Sequence, residues 1–177
     1  MIEGANLPAS VAARSADVII RRATPDDLDA IMRLLSDDPI SAGRGDVACD
    51  EDREVYAAAL ERIVGNAANE LLVAVVEPRG VVGTMQLTLI PGMSRRGSTR
   101  LLVEAVRVSS SERSSGIGGA MMRWVVDVAA VELGASLVQL TSDAARVDAH
   151  RFYRRLGFTD SHVGFKYAVD ASASARS

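Results

Sequence analysis

Three β-rich runs follow one another between Glu70 and Val108: Glu70 to Val76 (ELLVAVV), Val81 to Ile90 (VVGTMQLTLI) and Thr99 to Val108 (TRLLVEAVRV). The connections, Pro78-Arg79-Gly80 and Pro91-Gly92 with Gly97-Ser98, are turn chemistry, so consecutive strands should pair antiparallel. The period then changes. Gly116 to Leu133 carries Ile117, Met121, Trp124, Val128 and Val131 on one helical face and stops at Gly134. Leu137 to Thr141 (LVQLT) is a short apolar strand of the kind buried on both faces. A strand linked to the next strand through a helix is a βαβ unit, so the runs at 99–108 and 137–141 should lie parallel.

The remaining elements complete a mixed α/β sheet. Asp17 to Arg22 (DVIIRR) reads as a short strand, and Thr24 can cap a helix that has Pro25 at its first position and acids near its positive end. Leu28, Ile31, Leu34 and Leu35 make its apolar stripe. A loop rich in Gly, Pro and acids separates it from a second helix at Val55 to Val64. A last helix spans Val147 to Leu156, and His162 to Val169 alternates like a strand. The expected order is β, α, α, β, β, β, α, β, α, β. The ends, 1–16 and 170–177, are small, polar and aperiodic and read as disordered extensions around one domain at 17–169.

Composition removes several function classes. At 177 residues the chain is one core's worth, and its single cysteine, Cys49, has no intrachain partner, which points to a reducing cytoplasmic setting. No apolar run approaches the ~18 residues of a membrane span. The formal net charge is −3, so the chain as a whole offers nucleic acid no basic footprint, and two histidines (His150, His162) cannot build a multi-histidine metal site. An enzyme or binding domain for an organic ligand is left.

The chemistry-bearing stretch is Val106-Arg-Val-Ser-Ser-Ser-Glu-Arg113-Ser114-Ser115-Gly116-Ile117-Gly118-Gly119, a strand turning into the N-terminus of the long helix. First-turn amides without intrahelical partners, the positive end of the helix dipole, and glycines that admit close approach make an anion site, to which Arg113 adds a cation. Tight strand-to-helix packing would equally account for the glycines alone. A phosphate-binding P-loop would need Lys-Ser or Lys-Thr after the glycines, and a dinucleotide fingerprint would need Gly where Met121 stands.

Arg113-Ser-Ser-Gly116-Ile-Gly118 resembles the Arg/Gln-x-x-Gly-x-Gly/Ala motif of the GCN5-related N-acetyltransferases (GNAT superfamily), and Ala149-His-Arg-Phe152-Tyr153-Arg-Arg-Leu156-Gly157-Phe158 is similar to the helix that ends those domains. Arg146 departs from the pattern, standing where many relatives carry Asn. The resemblance covers about 17 to 169. It implies the GNAT fold: a mostly antiparallel sheet with a parallel pair at the splayed fourth and fifth strands, flanked by helices. It also implies acetyl-CoA as co-substrate, its pyrophosphate on the amides of Ser114, Ser115, Gly116, Ile117, Gly118 and Gly119 with Arg113 nearby. Pantetheine would run along the backbone of Val106, Arg107 and Val108, and the oxyanion donor would be a backbone N–H of that strand, for which Val106 is the candidate. No metal is implied.

Direct acetyl transfer to an amine asks for an acid for the departing thiolate and a route for the amine's proton. Tyr153 is the candidate acid, because a tyrosine hydroxyl (~10) stays protonated where a thiol (~8.5) begins to ionise; core packing is its other role. Glu104, inside an otherwise apolar strand and two residues before Val106, hence on the same face by the two-residue period, is the candidate base, with a structural hydrogen bond as its alternative. His150 and His162 are further candidates. The acids between Asp37 and Glu54 either attract a cationic amine or are solvated surface. Gln86 either reaches the acceptor or faces solvent, and Arg95, Arg96 and Arg100 surround a hairpin turn, where they are either exposed or contact a phosphate or carboxylate of the acceptor. Cys49 has no basic neighbour to activate it.

The expected activity is an acetyl-CoA-dependent N-acetyltransferase acting on a primary amine of a small molecule or peptide. A non-catalytic acyl-CoA-binding or sensing domain and an unrelated nucleotide-phosphate module are the rivals. No nucleic acid or membrane partner is expected, and exposed edge strands make a homodimer an expectation.

Overall fold

A computed structural model describes residues 2–43 and 45–169, and the tail expected at 170–177 lies outside the described residues. Two compact units divide the chain, Met1–Leu140 and Thr141–Ser177.

The first unit carries a six-stranded sheet whose spatial order is its chain order: β1 (Ala9–Ala12), β2 (Asp17–Arg22), β3 (Asn69–Val76), β4 (Gly80–Pro91), β5 (Thr99–Val108) and β6 (Leu137–Leu140). The first five pair antiparallel. β6 joins β5 in parallel, from Arg100 opposite Leu137 to Val103 opposite Leu140. Short turns and one helical crossover dictate both orientations, as the periodicity implies. Leu137 is exposed, so β6 is not covered on both faces as its apolar run suggested.

The N-terminal segment corrects the expectation of a disordered extension at 1–16. Ala9 pairs with Ile20 and Ala12 with Asp17. Ile2 and Ala5 are buried, and the Ile2 amide donates to the Ala67 carbonyl at 3.1 Å. Ala-Ser-Val-Ala has little β preference of its own; the free edge of β2 supplies the partner groups that make it a strand.

Helix α1 (Leu28–Ser36) buries Leu28, Ile31, Met32 and Leu34, and the first three cluster with Leu60 of α3 (Arg53–Val64) and with Leu71, Val73 and Val75 of β3. Between them α2 (Pro39–Ala42) is one turn, capped where Asp38 Oδ1 accepts from the Ser41 amide at 2.9 Å. Thr24 and Asp27 form the reciprocal start of α1, with the Thr24 amide donating to Asp27 Oδ2 at 2.8 Å. Arg21 grips the same carboxylate through two bonds of 2.7 and 2.8 Å.

Those bonds hold Asp27 below the usual carboxylate range, the Arg21 hydrogen bond being the first cause and opposing the burial that would raise it. A carboxylate with a depressed folded-state pKa stabilises the protein above its unfolded value and loses that contribution as pH falls through the folded one. Asp27→Asn should therefore cost about 1–3 kcal/mol at pH 7. The deficit should narrow below about pH 4, the range in which an unfolded Asp takes up its proton. Urea unfolding of both proteins at pH 7 and pH 3 checks this, and a deficit independent of pH would refute it.

The long helix starts as α4 (Ile117–Trp124) and continues through a π turn, Val125–Ala129, into Ala130–Glu132. A π turn inserts one residue into the α phase. Ile117, Met121 and Trp124 are buried as expected, but from the end of the turn onward Ala129 and Ala130 are buried while Val128 and Val131 are 37% and 71% exposed. The apolar stripe assigned to 128 and 131 slips accordingly.

In the second unit α5 (Val147–Arg155) forms, and Gly157 (φ +89) closes it. The strand expected at His162 to Val169 does not: residues 159–169 are neither helix nor strand, and Val163, Phe165, Tyr167 and Val169 are 79–93% exposed. Alternation specifies two faces but not the neighbouring edge a strand needs.

Candidate active site

Strand β5 carries the first half of the site. Its register against β4 steps from Gln86 opposite Glu104 to Thr84 opposite Arg107, so Met85 alone faces two residues, Ala105 and Val106. Ala105 sits at φ +50, the left-handed conformation of a bulge. This interrupts the two-residue alternation, so Glu104 and Val106 do not share a face by the rule that linked them. Glu104 is exposed rather than enclosed in an apolar strand.

Pairing with β6 ends at Val103, while β5 runs on to Val108. Glu104–Val108 therefore has one edge without a strand neighbour among the described residues, and its peptide groups can bond an extended ligand. Arg107 braces this edge: Nη1 donates to the Val106 carbonyl at 2.9 Å and Nη2 to the buried Ser41 hydroxyl at 2.6 Å. That tie to α2 had no sequence signal, since the two residues lie 66 positions apart.

The turn after β5 is the second half. Ser114 has φ +67, and Gly116, at φ +92, stands at the head of α4. Ala120 is the first residue whose amide reaches a carbonyl four back, Gly116 O at 2.9 Å. The helical ladder thus leaves the N–H groups of Ile117, Gly118 and Gly119 without a partner. Arg113 is exposed, and its Nη2 donates to the Asp37 carbonyl at 3.0 Å, while Asp37 Oδ2 accepts from the Ser110 amide at 2.5 Å. The C-terminus of α1 thereby holds the turn. Arg123 lies over Gly119, its guanidinium 3.3 Å from where a Cβ would be. These donors, two arginines and a glycine cradle fit a pyrophosphate.

One neighbour was missed. A Cβ on Gly116 would lie 3.0 Å from both the backbone nitrogen and the Cβ of Arg14, and Ser15 Oγ donates to Ser115 O at 3.4 Å. The β1–β2 turn is packed on the anion turn. The signal available was the Ala-Arg-Ser-Ala tetrapeptide between two short extended runs.

Beside the bulge, a cavity of about 180 Å3 opens between α1, α3 and the sheet. Leu28, Ile31 and Leu35 line it from α1, Tyr56, Ala59, Leu60 and Ile63 from α3, and Leu71, Thr84, Gln86 and Ala105 from the strands. Gln86 thus lines a cavity and is half-buried. Burial, then the bond to Asp46 at 2.9 Å, pushes the Tyr56 hydroxyl up to about 12. Several acids of the preceding loop have protein partners: Asp46 takes Tyr56, Asp38 caps α2, and Asp52 accepts from Cys49 Sγ at 3.0 Å. That bond to Asp52 raises the Cys49 thiol above its ordinary value, opposite to an activated nucleophile. Arg95, Arg96 and Arg100 are exposed.

In the second unit Tyr153 is half-buried on α5, edge-on to Phe152 and Phe158 with ring centroids 5.1 and 5.8 Å away. His150 Nε2 lies 2.8 Å from the Asp143 carbonyl, and exposed His162 bonds Ser161 Oγ at 2.8 Å. Among the described residues no cluster of three or more His, Cys, Asp or Glu could hold a metal ion, and no helix is long and apolar enough to cross a membrane.

The pattern described as the Acetyltransferase (GNAT) family matches residues 28–158. A solved structure of a transcriptional regulator from Bacillus halodurans C-125 is 38% identical, with a TM-score of 0.80 over 86% of this chain and 99% of that one. The fold is shared with glucosamine-6-phosphate N-acetyltransferase from Arabidopsis thaliana, at 18% identity and a TM-score of 0.69 over 86% and 99% of the two chains. An aminoalkylphosphonate N-acetyltransferase of Salmonella typhimurium is 39% identical over 57 residues, which span 32% of this chain and only 36% of that relative.

Proposed function

Because the chain belongs to the acetyltransferase (GNAT) family, we propose that it transfers the acetyl group of acetyl-CoA to a primary amine by direct attack in a ternary complex. The observation that carries this reading is the unbroken run from the bulged, open-edged end of β5 into the Gly116-headed helix. It offers backbone to an extended pantetheine arm and amides to a pyrophosphate in one line of chain. Val106, Arg107 and Val108 supply the former, and Ser114 to Gly119 with Arg113 the latter.

The amine nitrogen attacks the thioester carbon, forming the C–N bond, and the Val106 N–H receives the oxyanion. One such donor is worth on the order of 3 kcal/mol in enzymes generally. Collapse breaks the C–S bond, and Tyr153 gives its proton to the departing sulfur. The amine's own proton leaves through Glu104 or water to solvent. The exposure of Glu104 supports a water-linked route over direct contact.

CoA release from acetyl-CoA, followed with a thiol reagent across an amine panel, tests the activity. A chain that binds acetyl-CoA by calorimetry yet releases no CoA with any amine would instead be an acyl-CoA sensor, the reading favoured by the likeness to the 38% identical transcriptional regulator. Glu104→Gln should lower kcat/KM about 10-fold or more and shift the acid limb of the pH profile between about pH 5 and 8. An identical profile in both proteins removes Glu104 from the mechanism.

A further inference from the structure

Resting on the acetyl-transfer reading, we propose that the acceptor is a primary amine on an uncharged apolar body of phenyl or branched-alkyl size, seated in the cavity between α1 and α3. Ala105 lines the cavity, so one wall of it is the bulge that presents Val106. A group anchored there holds its amine at the strand edge where the thioester would lie.

The lining decides the class. None of the residues around the cavity is Lys, Arg or His, so a phosphate, phosphonate or carboxylate would be buried without a counter-charge. The polar side chains present already donate within the protein. Thr84 Oγ1 bonds the Leu72 carbonyl at 2.9 Å, Gln86 Nε2 bonds Asn69 Oδ1 at 3.2 Å, and the Tyr56 hydroxyl bonds Asp46. A polyhydroxylated sugar amine would find the second Gln86 N–H and a few acceptor oxygens here, too few partners for its several hydroxyls. The remaining surface is Leu, Ile and Ala, which rewards apolar area. Size agrees, since an apolar protein cavity of about 150 Å3 takes up benzene and this one is about 180 Å3.

Kinetics with the full chain test the class. Benzylamine and isoamylamine should show kcat/KM about 100-fold or more above 2-aminoethylphosphonate and glucosamine 6-phosphate. Ala59→Phe, which fills the cavity from α3, should lower kcat/KM for benzylamine about 10-fold more than for ethylamine. Ala59→Leu repeats the test with less overpacking if the first variant melts early. Equal or better turnover of the anionic amines overturns the substrate class and leaves acetyl transfer standing. Absence of CoA release with every amine overturns the transfer reading. Calorimetry of benzylamine against 2-aminoethylphosphonate on the CoA-loaded protein then decides the cavity: apolar binding upholds it, and none overturns it.

Discussion

Tyr153→Phe should lower kcat by about 100-fold or more, the scale of a lost general acid, which corresponds to about 2.7 kcal/mol of activation free energy. The substitution removes one oxygen and keeps the ring that packs edge-on between Phe152 and Phe158. Its cost in stability should stay near 1 kcal/mol, a few degrees in Tm for a chain this size. The KM for acetyl-CoA should hold, because a group that acts on the leaving sulfur contributes in the transition state and not to ground-state binding. Steady-state kinetics and a thermal melt on the same preparations give all three numbers. Unchanged kcat would return Tyr153 to a packing role.

The second large effect is at the anion turn. Gly116→Ala forces a side chain into φ +92 and places a Cβ 3.0 Å from the Arg14 backbone nitrogen, so the turn and the β1–β2 hairpin must move apart. The cost should be about 1–3 kcal/mol in stability, with a rise of about 10-fold or more in the acetyl-CoA Kd measured by calorimetry. Gly134→Ala is the control: it is also left-handed (φ +64) but has open space around its Cβ, so it should lose stability and keep affinity. Equal Kd values for Gly116→Ala and the parent protein would mean that this glycine serves strand-to-helix packing alone.

Legibility followed the range of the forces involved. The antiparallel meander and the parallel β5–β6 pair were readable because short turns and a crossover helix dictate orientation locally. Gly116 was readable because a left-handed helix head selects glycine. The bulge was not, because Ala105 takes φ +50 without a glycine to mark it, and with it went the face assigned to Glu104. The π turn likewise leaves no residue signature, so the stripe was extrapolated to Val128 and Val131. The cavity draws on five elements between Leu28 and Ala105, and Thr84 and Gln86 bond partners that only the fold brings close. Arg14 was overlooked because strand β1 owes its existence to the edge of β2.

That last point bears on where a shortened version of the protein should begin. A fragment started at Asp17, where the first expected strand opens the fold, would strip one edge of β2 of its neighbour β1 and expose a row of unpaired peptide groups, a template for sheet-to-sheet aggregation. It would also take away the backbone against which Gly116 rests. Precipitation of such a fragment, or its failure to hold acetyl-CoA, would then reflect the trimming and would say nothing about the natural chemistry.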